Sequence, residues 1–193
     1  MNTASGAAVK TLDDLFLREL EEIHDAEHRI GAMLVKMATA SRCWKMKRAI
    51  LNHLLETERH VMKLEQVFGC FELPVTRRTS KAIVGLVHAG AEIEADFGES
   101  PAINAALVSF LQKIEHFEIA GYTSLLQWAQ LLGNPDAAEL LEDILDEEQT
   151  AAQTWCEMAR STSNEEALGK QGWEDSEDSE EDEGIRRSSS VAT

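Results

Sequence analysis

Residues 107–132, LVSFLQKIEHFEIAGYTSLLQWAQLL, decide the fold class of this chain. Apolar residues recur in this stretch at helical spacing and form one side of a helix: Leu107, Leu111, Ile114, Leu125 and Leu132. Glu118 stands at the centre of that apolar side, and Glu115 stands three residues before it. Because a buried charge without a partner costs much free energy, these two acids need a partner inside the folded chain.

Three other stretches repeat the helical pattern. A capping signal at Thr11 precedes a first helix predicted over residues 12–39, and a second helix is predicted over residues 44–68. Ser100 and Pro101 are typical of the start of the third helix, and the fourth is predicted over residues 135–160. No stretch alternates like a strand, so the sequence predicts an all-α protein.

The long connection between the second and third of these helices indicates how the bundle is wound. Residues 75–100 form this connection, with an extra short helix expected over residues 80–97. A connection of this length lets the chain cross from one end of a bundle to the other, as ferritin-like bundles require. We therefore expect a ferritin-like four-helix bundle with a long crossover that contains an extra short helix.

Polar residues that can bind a metal interrupt the apolar side of every predicted bundle helix. Each lies roughly 14 to 18 residues from the loop centre of its own hairpin, so all should lie at similar heights in the bundle. One or two divalent ions would neutralise them, and the excess of carboxylates over imidazoles favours iron or manganese over zinc. The predicted metal neighbours are Glu27, His53, Glu56, His60, Glu115, Glu118 and Glu148.

Two observations leave the number of metal ions open. Dimetal bundles use a Glu from each of two helices and Glu-x-x-His from the other two. Glu56 and His60 are spaced four apart rather than three, and Ala151 stands where the last helix would need its histidine. Glu147, Glu115 or His53 could compensate, or the site could hold one ion. In the alternative interpretation, each acid lies at the core boundary and extends to solvent.

The remaining polar residues of the helices have more ordinary interpretations. We expect solvent-facing or supporting positions for the other histidines, which are His24, His28, His88 and His116. Tyr122 lies on the Glu115/Glu118 face, where it could support the site, relay electrons or simply be a core tyrosine with a satisfied hydroxyl.

The amino-acid composition indicates which partners and which cellular location are compatible with the protein. A net charge of −17 over 193 residues argues against binding to nucleic acid or to anionic membranes. The sequence shows no membrane span and no signal-peptide core, and its three cysteines have no metal-type spacing, which together predict a cytoplasmic protein. We expect residues 1–10 to form a disordered arm, residues 11–160 the bundle, and residues 161–193 a disordered acidic tail.

Four segments resemble the YciE/YciF family of ferritin-like stress proteins. They are TLDDLFLRELEEIHDAE (11–27), HLLETERHVMKLEQVF (53–68), KIEHFEIAGY (113–122) and LLGNPDAAELLEDILDEEQ (131–149). The resemblance implies a ferritin-like bundle, commonly a homodimer, with a di-iron or related dimetal site. By this similarity, residues 27, 56, 60, 115, 118 and 148 are metal neighbours and residue 53 is a close candidate.

Three functions are compatible with these features. The first is a redox protein in which a carboxylate-held di-iron pair reacts with oxygen or peroxide. The second is a metal-binding protein without turnover, for storage or protection under stress. The third is a helical protein whose site is vestigial, for which Ala151 and Ala152 are the best evidence.

Overall fold

The structure is a computed structural model, and it describes residues 9–168. This part of the chain contains five long helices. Their bounds are α1 (Leu12–Ala40), α2 (Trp44–Cys70), α3 (Lys81–Phe97), α4 (Ile103–Leu131) and α5 (Pro135–Met158). No strand occurs within residues 9–168, so the predicted all-α class is confirmed. None of the helices in this range is both long and apolar enough to cross a membrane.

The four longest helices make the bundle. The hairpins α1/α2 and α4/α5 pack side by side through α2 against α5 and α1 against α4. Helix α3 lies in the crossover and packs against α4 and α1, where Gly90 leaves room for the side chains of Phe110 and Met33. A Cβ at this position would stand 2.9 Å from the buried Phe110 ring. The ferritin-like bundle with an extra helix in its crossover is thereby confirmed.

Local sequence signals set most helix ends. Thr11 and Asp14 form a reciprocal capping box at the start of α1, and Ser80 and Asn134 cap α3 and α5 through their side chains. Helix α4 starts at Ile103 rather than at Pro101 as predicted, because Ser100 accepts a hydrogen bond from the Ala102 amide and closes a turn before the helix.

The predicted end of the bundle at residue 160 is too early. Helical structure continues as a π-helix (Ala159–Ser163) and a short α6 (Asn164–Ala167). Both pack against α4, and Ser163 is buried there, so residues 161–168 belong to the folded unit rather than to a disordered tail. The expectations for residues 1–8 and 169–193 lie outside the described residues.

Candidate metal centre

The middle of the bundle holds a buried cluster of carboxylates and imidazoles contributed by all four long helices. Its members are Glu27 from α1, His53 and His60 from α2, Glu115 and Glu118 from α4, and Glu148 from α5, and none is more than 3% exposed. Six of the seven predicted metal neighbours therefore meet in the core. The alternative interpretation, in which each acid lies at the core boundary and extends to solvent, is wrong for Glu27, Glu115, Glu118 and Glu148.

Ligand atoms in this cluster form two overlapping groups, each compact enough to surround one ion. One group contains His53, Glu115, Glu118 and Glu148, and the other contains Glu27, His60 and Glu148. The ligand atoms within each group lie within 4.8 Å of one another. Glu148 belongs to both groups, so it is the carboxylate that two neighbouring ions would share.

Each imidazole lies between an inner and an outer carboxylate. His53 Nε2 is 3.1 Å from Glu115 Oε1, and its Nδ1 is 3.3 Å from Glu56 Oε2. His60 Nδ1 is 2.9 Å from Glu148 Oε1, and its Nε2 donates to Glu147 Oε2 at 2.9 Å. A carboxylate behind a histidine fixes its ring orientation and its tautomer, and leaves the other nitrogen facing inward as a ligand.

Glu56 is the one predicted metal neighbour that the structure places outside both groups. Its side chain is partly exposed and contacts the outer nitrogen of His53. Glu147 holds the matching position behind His60 and also accepts a hydrogen bond from Lys63 Nζ at 2.8 Å. On α2, Glu56 therefore contacts His53, three residues before it, and not His60, the histidine with which the sequence motif had paired it.

Two aromatic residues donate hydrogen bonds to the inner carboxylates. The Tyr122 hydroxyl donates to Glu27 and the Trp155 indole donates to Glu115 Oε1 at 2.9 Å, with both rings fully buried. Tyr122 is therefore a core tyrosine whose hydroxyl is satisfied by the cluster itself. Trp155 lies seven residues after Glu148, which places both side chains on the same face of α5.

The cluster lacks enough internal partners for its polar atoms. Eight buried ligand atoms make no hydrogen bond of good geometry, including both oxygens of Glu118 and both oxygens of Glu148. Glu148 Oε1 nevertheless lies 2.9 Å from His60 Nδ1, so the contact between these two groups is an ion pair. Buried polar atoms in native proteins are nearly always satisfied. The donor set, four carboxylates and two imidazoles, is that of iron and manganese sites, and four negative charges match two divalent ions. The residues present therefore fit a dimetal centre.

The pKa values of the buried glutamates also reflect the crowding of negative charge in the cluster. Burial raises the pKa of Glu118 well above its usual range, assisted by the charges of Glu148, Glu27 and Glu115. Burial also raises the pKa of Glu148, to about 8, against the opposing effect of the nearby His60 ring. Burial lowers the pKa of His60, but Glu148 and Glu27 outweigh it and raise that pKa to about 10. Without a metal, protons neutralise the cluster.

A groove between α2 and α5 reaches the cluster from the surface. This groove has a volume of about 410 Å³ and is lined by small and polar side chains together with His53, Glu56, Glu147 and Trp155. Ala151, which stands where a ligand was expected, forms part of its wall, and Ala49 lies on the α2 side. Because residue 151 is an alanine and not a larger ligand residue, open space remains beside the cluster.

Comparison with known proteins gives the family. Residues 11–168 match the family described as "Domain of unknown function (DUF892)". The chain is 31% identical to Protein YciF of Escherichia coli (strain K12) over 163 residues, which are 84% of this chain and 98% of that protein. This chain belongs to the DUF892 family. The resemblance to YciE/YciF proteins is thereby confirmed.

Solved structures of similar proteins share the fold of this DUF892 member. The crystal structure of the E. coli stress protein YciF matches with a TM-score of 0.77 at 31% identity, covering 81% of this chain and 99% of that one. YcfI from Rhodopseudomonas palustris matches at 0.72 and 30% identity, with 78% and 96% covered. A Xanthomonas campestris protein, with 84% and 100% covered, matches at 0.67 and 21% identity, which supports the fold alone.

The raised pKa values make the stability of the metal-free protein depend on pH. Glu148 and His60 bind protons more tightly in the folded chain than in the unfolded chain, so their contribution is present at low pH. That contribution is lost between pH 4.5 and about 8 for Glu148 and between pH 6.5 and about 10 for His60. We expect the melting temperature after chelation to fall between about pH 6 and 9, at about 2–4 °C per kcal/mol lost.

Calorimetry of the chelated protein checks this pH dependence. The exposed His116 provides a matched control, because His116→Gln should leave the slope of melting temperature against pH unchanged. A melting temperature that stays level or rises across this range would show that the cluster is not neutralised by protons.

Proposed function

We propose that this chain is a ferritin-like dimetal-carboxylate protein that binds two iron or manganese ions and consumes oxygen or peroxide under stress. The observation that carries the proposal is the convergence of four buried carboxylates and two imidazoles with eight unsatisfied ligand atoms. The likeness to the E. coli stress protein YciF supports the physiological setting. Three free cysteines, at positions 43, 70 and 156, agree with a reducing compartment such as the cytoplasm.

Each ion of a bound metal pair would have its own set of ligands. Glu148 would bridge, His53 with Glu115 and Glu118 would complete one ion, and His60 with Glu27 would complete the other. Glu56 and Glu147 would orient the two imidazoles from outside. When bound, a ferrous pair supplies two electrons, which with two protons reduce hydrogen peroxide to two waters.

Several neighbouring groups suit this redox chemistry. Tyr122 holds a proton at its hydroxyl oxygen beside Glu27, and burial together with that carboxylate raises the pKa of the phenol well above its usual range. Lys63 and Glu147 form an ion pair at the partly exposed edge of the cluster. Apart from the groove between α2 and α5, the apolar bundle around the six inner residues would keep bulk water from ions held there.

Replacing Glu118 by Gln tests the metal centre. We expect wild-type protein purified without chelators to contain about two ions per chain and to melt roughly 5–10 °C higher with metal than without. Glu118→Gln should lose at least one ion and most of that shift. Because this glutamate already carries a raised pKa, the neutral amide should also make the metal-free protein more stable at pH 7.5.

Elemental analysis, calorimetry and peroxide consumption measure these effects. Glu58→Gln, on the exposed side of α2, is the matched control and should behave as wild type. Metal binding without consumption of oxidant would select the storage function instead. Absence of metal from wild type even after anaerobic loading would refute the proposal and leave the site vestigial.

We propose that ions and oxidant reach the cluster through the groove between α2 and α5. Ala151→Leu fills the groove at its wall and should slow loading of Co²⁺ by roughly tenfold, equivalent to about 1.4 kcal/mol of barrier, without changing the final amount bound. Ala49→Leu should act in the same way from the opposite wall.

Stopped-flow absorption of Co²⁺ follows this loading directly. The neighbouring Ala152→Leu is the control, because residue 152 does not line the groove. Equal loading rates in all three variants and wild type would exclude this route, while leaving the metal centre itself untouched.

We also propose a homodimer formed through α2. Trp44, Leu51, Leu55 and Met62 are each more than 40% exposed and fall within about 40° of one another around the helix, so they form one apolar stripe. An uncovered stripe of this kind is typical of an interaction surface. Leu55→Lys should convert a dimer into a 21.4 kDa monomer in light scattering, whereas Val35→Lys on α1 should not. A monomeric wild type would contradict this proposal.

A further inference from the structure

Two histidines that the bundle centre does not use lie together on α1, where it faces α2. His24 is only 1% exposed, and His28, one helical turn later, is half-buried. Their ring centroids are 5.0 Å apart and the rings stand nearly perpendicular, at 83°. Residues spaced four apart share a helix face, which is the spacing at which two histidines bind one metal ion.

Both rings have buried nitrogens without partners. Neither Nδ1 nor Nε2 of His24 makes a hydrogen bond of good geometry within residues 9–168, and Nε2 of His28 is also buried and unsatisfied. The Thr76 backbone is a hydrogen-bonding group near the His24 ring and raises its pKa, against the larger opposing effect of burial. The Phe68 ring packs edge-on against His24, with centroids 5.7 Å apart, and offers it no hydrogen-bond acceptor. Since native proteins satisfy nearly all buried polar side-chain atoms, three unsatisfied nitrogens at one place require an explanation.

A third ligand stands opposite on α2. Glu65 Oε1 lies 3.9 Å from His24 Nε2, which is too long for a hydrogen bond. Two ligands held at about 2.0–2.1 Å from one ion are separated by at most about 4.2 Å, so this spacing suits a shared cation. The three ligand atoms do not lie within 4.8 Å of one another, so the half-exposed Glu65 side chain would have to rotate toward the pair when an ion binds.

The protonation state of the rings favours ligation. Burial lowers the pKa of His24, and the nearby His28 and Arg77 side chains lower it further. The His24 ring is therefore neutral near pH 7, the form in which imidazole binds metals. The Arg77 charge opposes a cation at this place, whereas the carboxylates of Glu65 and Asp25 favour one near His28.

We propose that His24, His28 and Glu65 bind one zinc ion at a site separate from the bundle centre. Two imidazoles with one carboxylate form a zinc-type donor set, and a fourth position remains open beside the exposed Glu65. The intervening Glu27 turns away from this pair toward Tyr122 and His60, so the two sites share no ligand. The ion would link α1 to α2.

Equilibrium dialysis of the full chain against micromolar Zn²⁺ tests the site. We expect His28→Gln, and likewise His24→Phe, which keeps an aromatic ring beside Phe68, to bind one zinc ion per chain fewer than wild type. His116→Gln, which removes an exposed histidine from α4, should retain the wild-type amount. Melting curves of the metal-free variants establish that each is folded, and His28→Gln alone decides if the buried replacement does not fold.

The same comparison in the Glu118→Gln background separates this site from the bundle centre. Adding His28→Gln to that background should still remove one zinc ion per chain, because residue 118 contributes nothing to the α1/α2 pair. Equal zinc content in wild type and His28→Gln would overturn the proposal. An equal loss from His116→Gln would overturn it too, because the zinc would then be held by surface histidines in general.

Discussion

The rest of the structure depends on the neutralisation of four carboxylates buried at one level of a helix bundle. Glu27, Glu115, Glu118 and Glu148 come from three helices, and the fourth helix supplies two imidazoles at the same height. Four negative charges in an apolar interior are not tolerated together, so the cluster takes up either cations or protons. The charge state of the bundle core therefore depends on whether metal ions or protons are bound at the cluster.

The cluster consists of an inner set of residues that could bind metal and an outer pair of acids that orient the histidine rings. The inner carboxylates and the inward-facing nitrogens of His53 and His60 meet at the centre, while Glu56 and Glu147 stand behind the two rings. The outer acids are partly exposed, and Lys63 stabilises one of them. Each imidazole is thus held between an inner and an outer carboxylate, although the two outer acids come from different helices and follow no common sequence motif.

Sequence patterns predicted the helices and most of the cluster because both depend on local periodicity. The acids at positions 27, 118 and 148 interrupt apolar stripes, and such an interruption is visible without a structure. The separation of Glu56 from the inner cluster was not predictable, since spacings of three and four from a histidine both place an acid on one helix face. His24 was missed for a related reason: its burial depends on how α1 packs against α2 and the connection that follows.

The π-helix between Ala159 and Ser163 changes the angular phase of α6, which follows it. In a regular α-helix Ser163 would point about 80° away from Trp155, eight residues earlier. One extra residue in the turn reduces that difference to roughly 20°, so Ser163 faces the core in line with Trp155. Removing a single residue from this turn would therefore rotate α6 away from α4 by about a quarter of a revolution, while every residue of the metal centre kept its place.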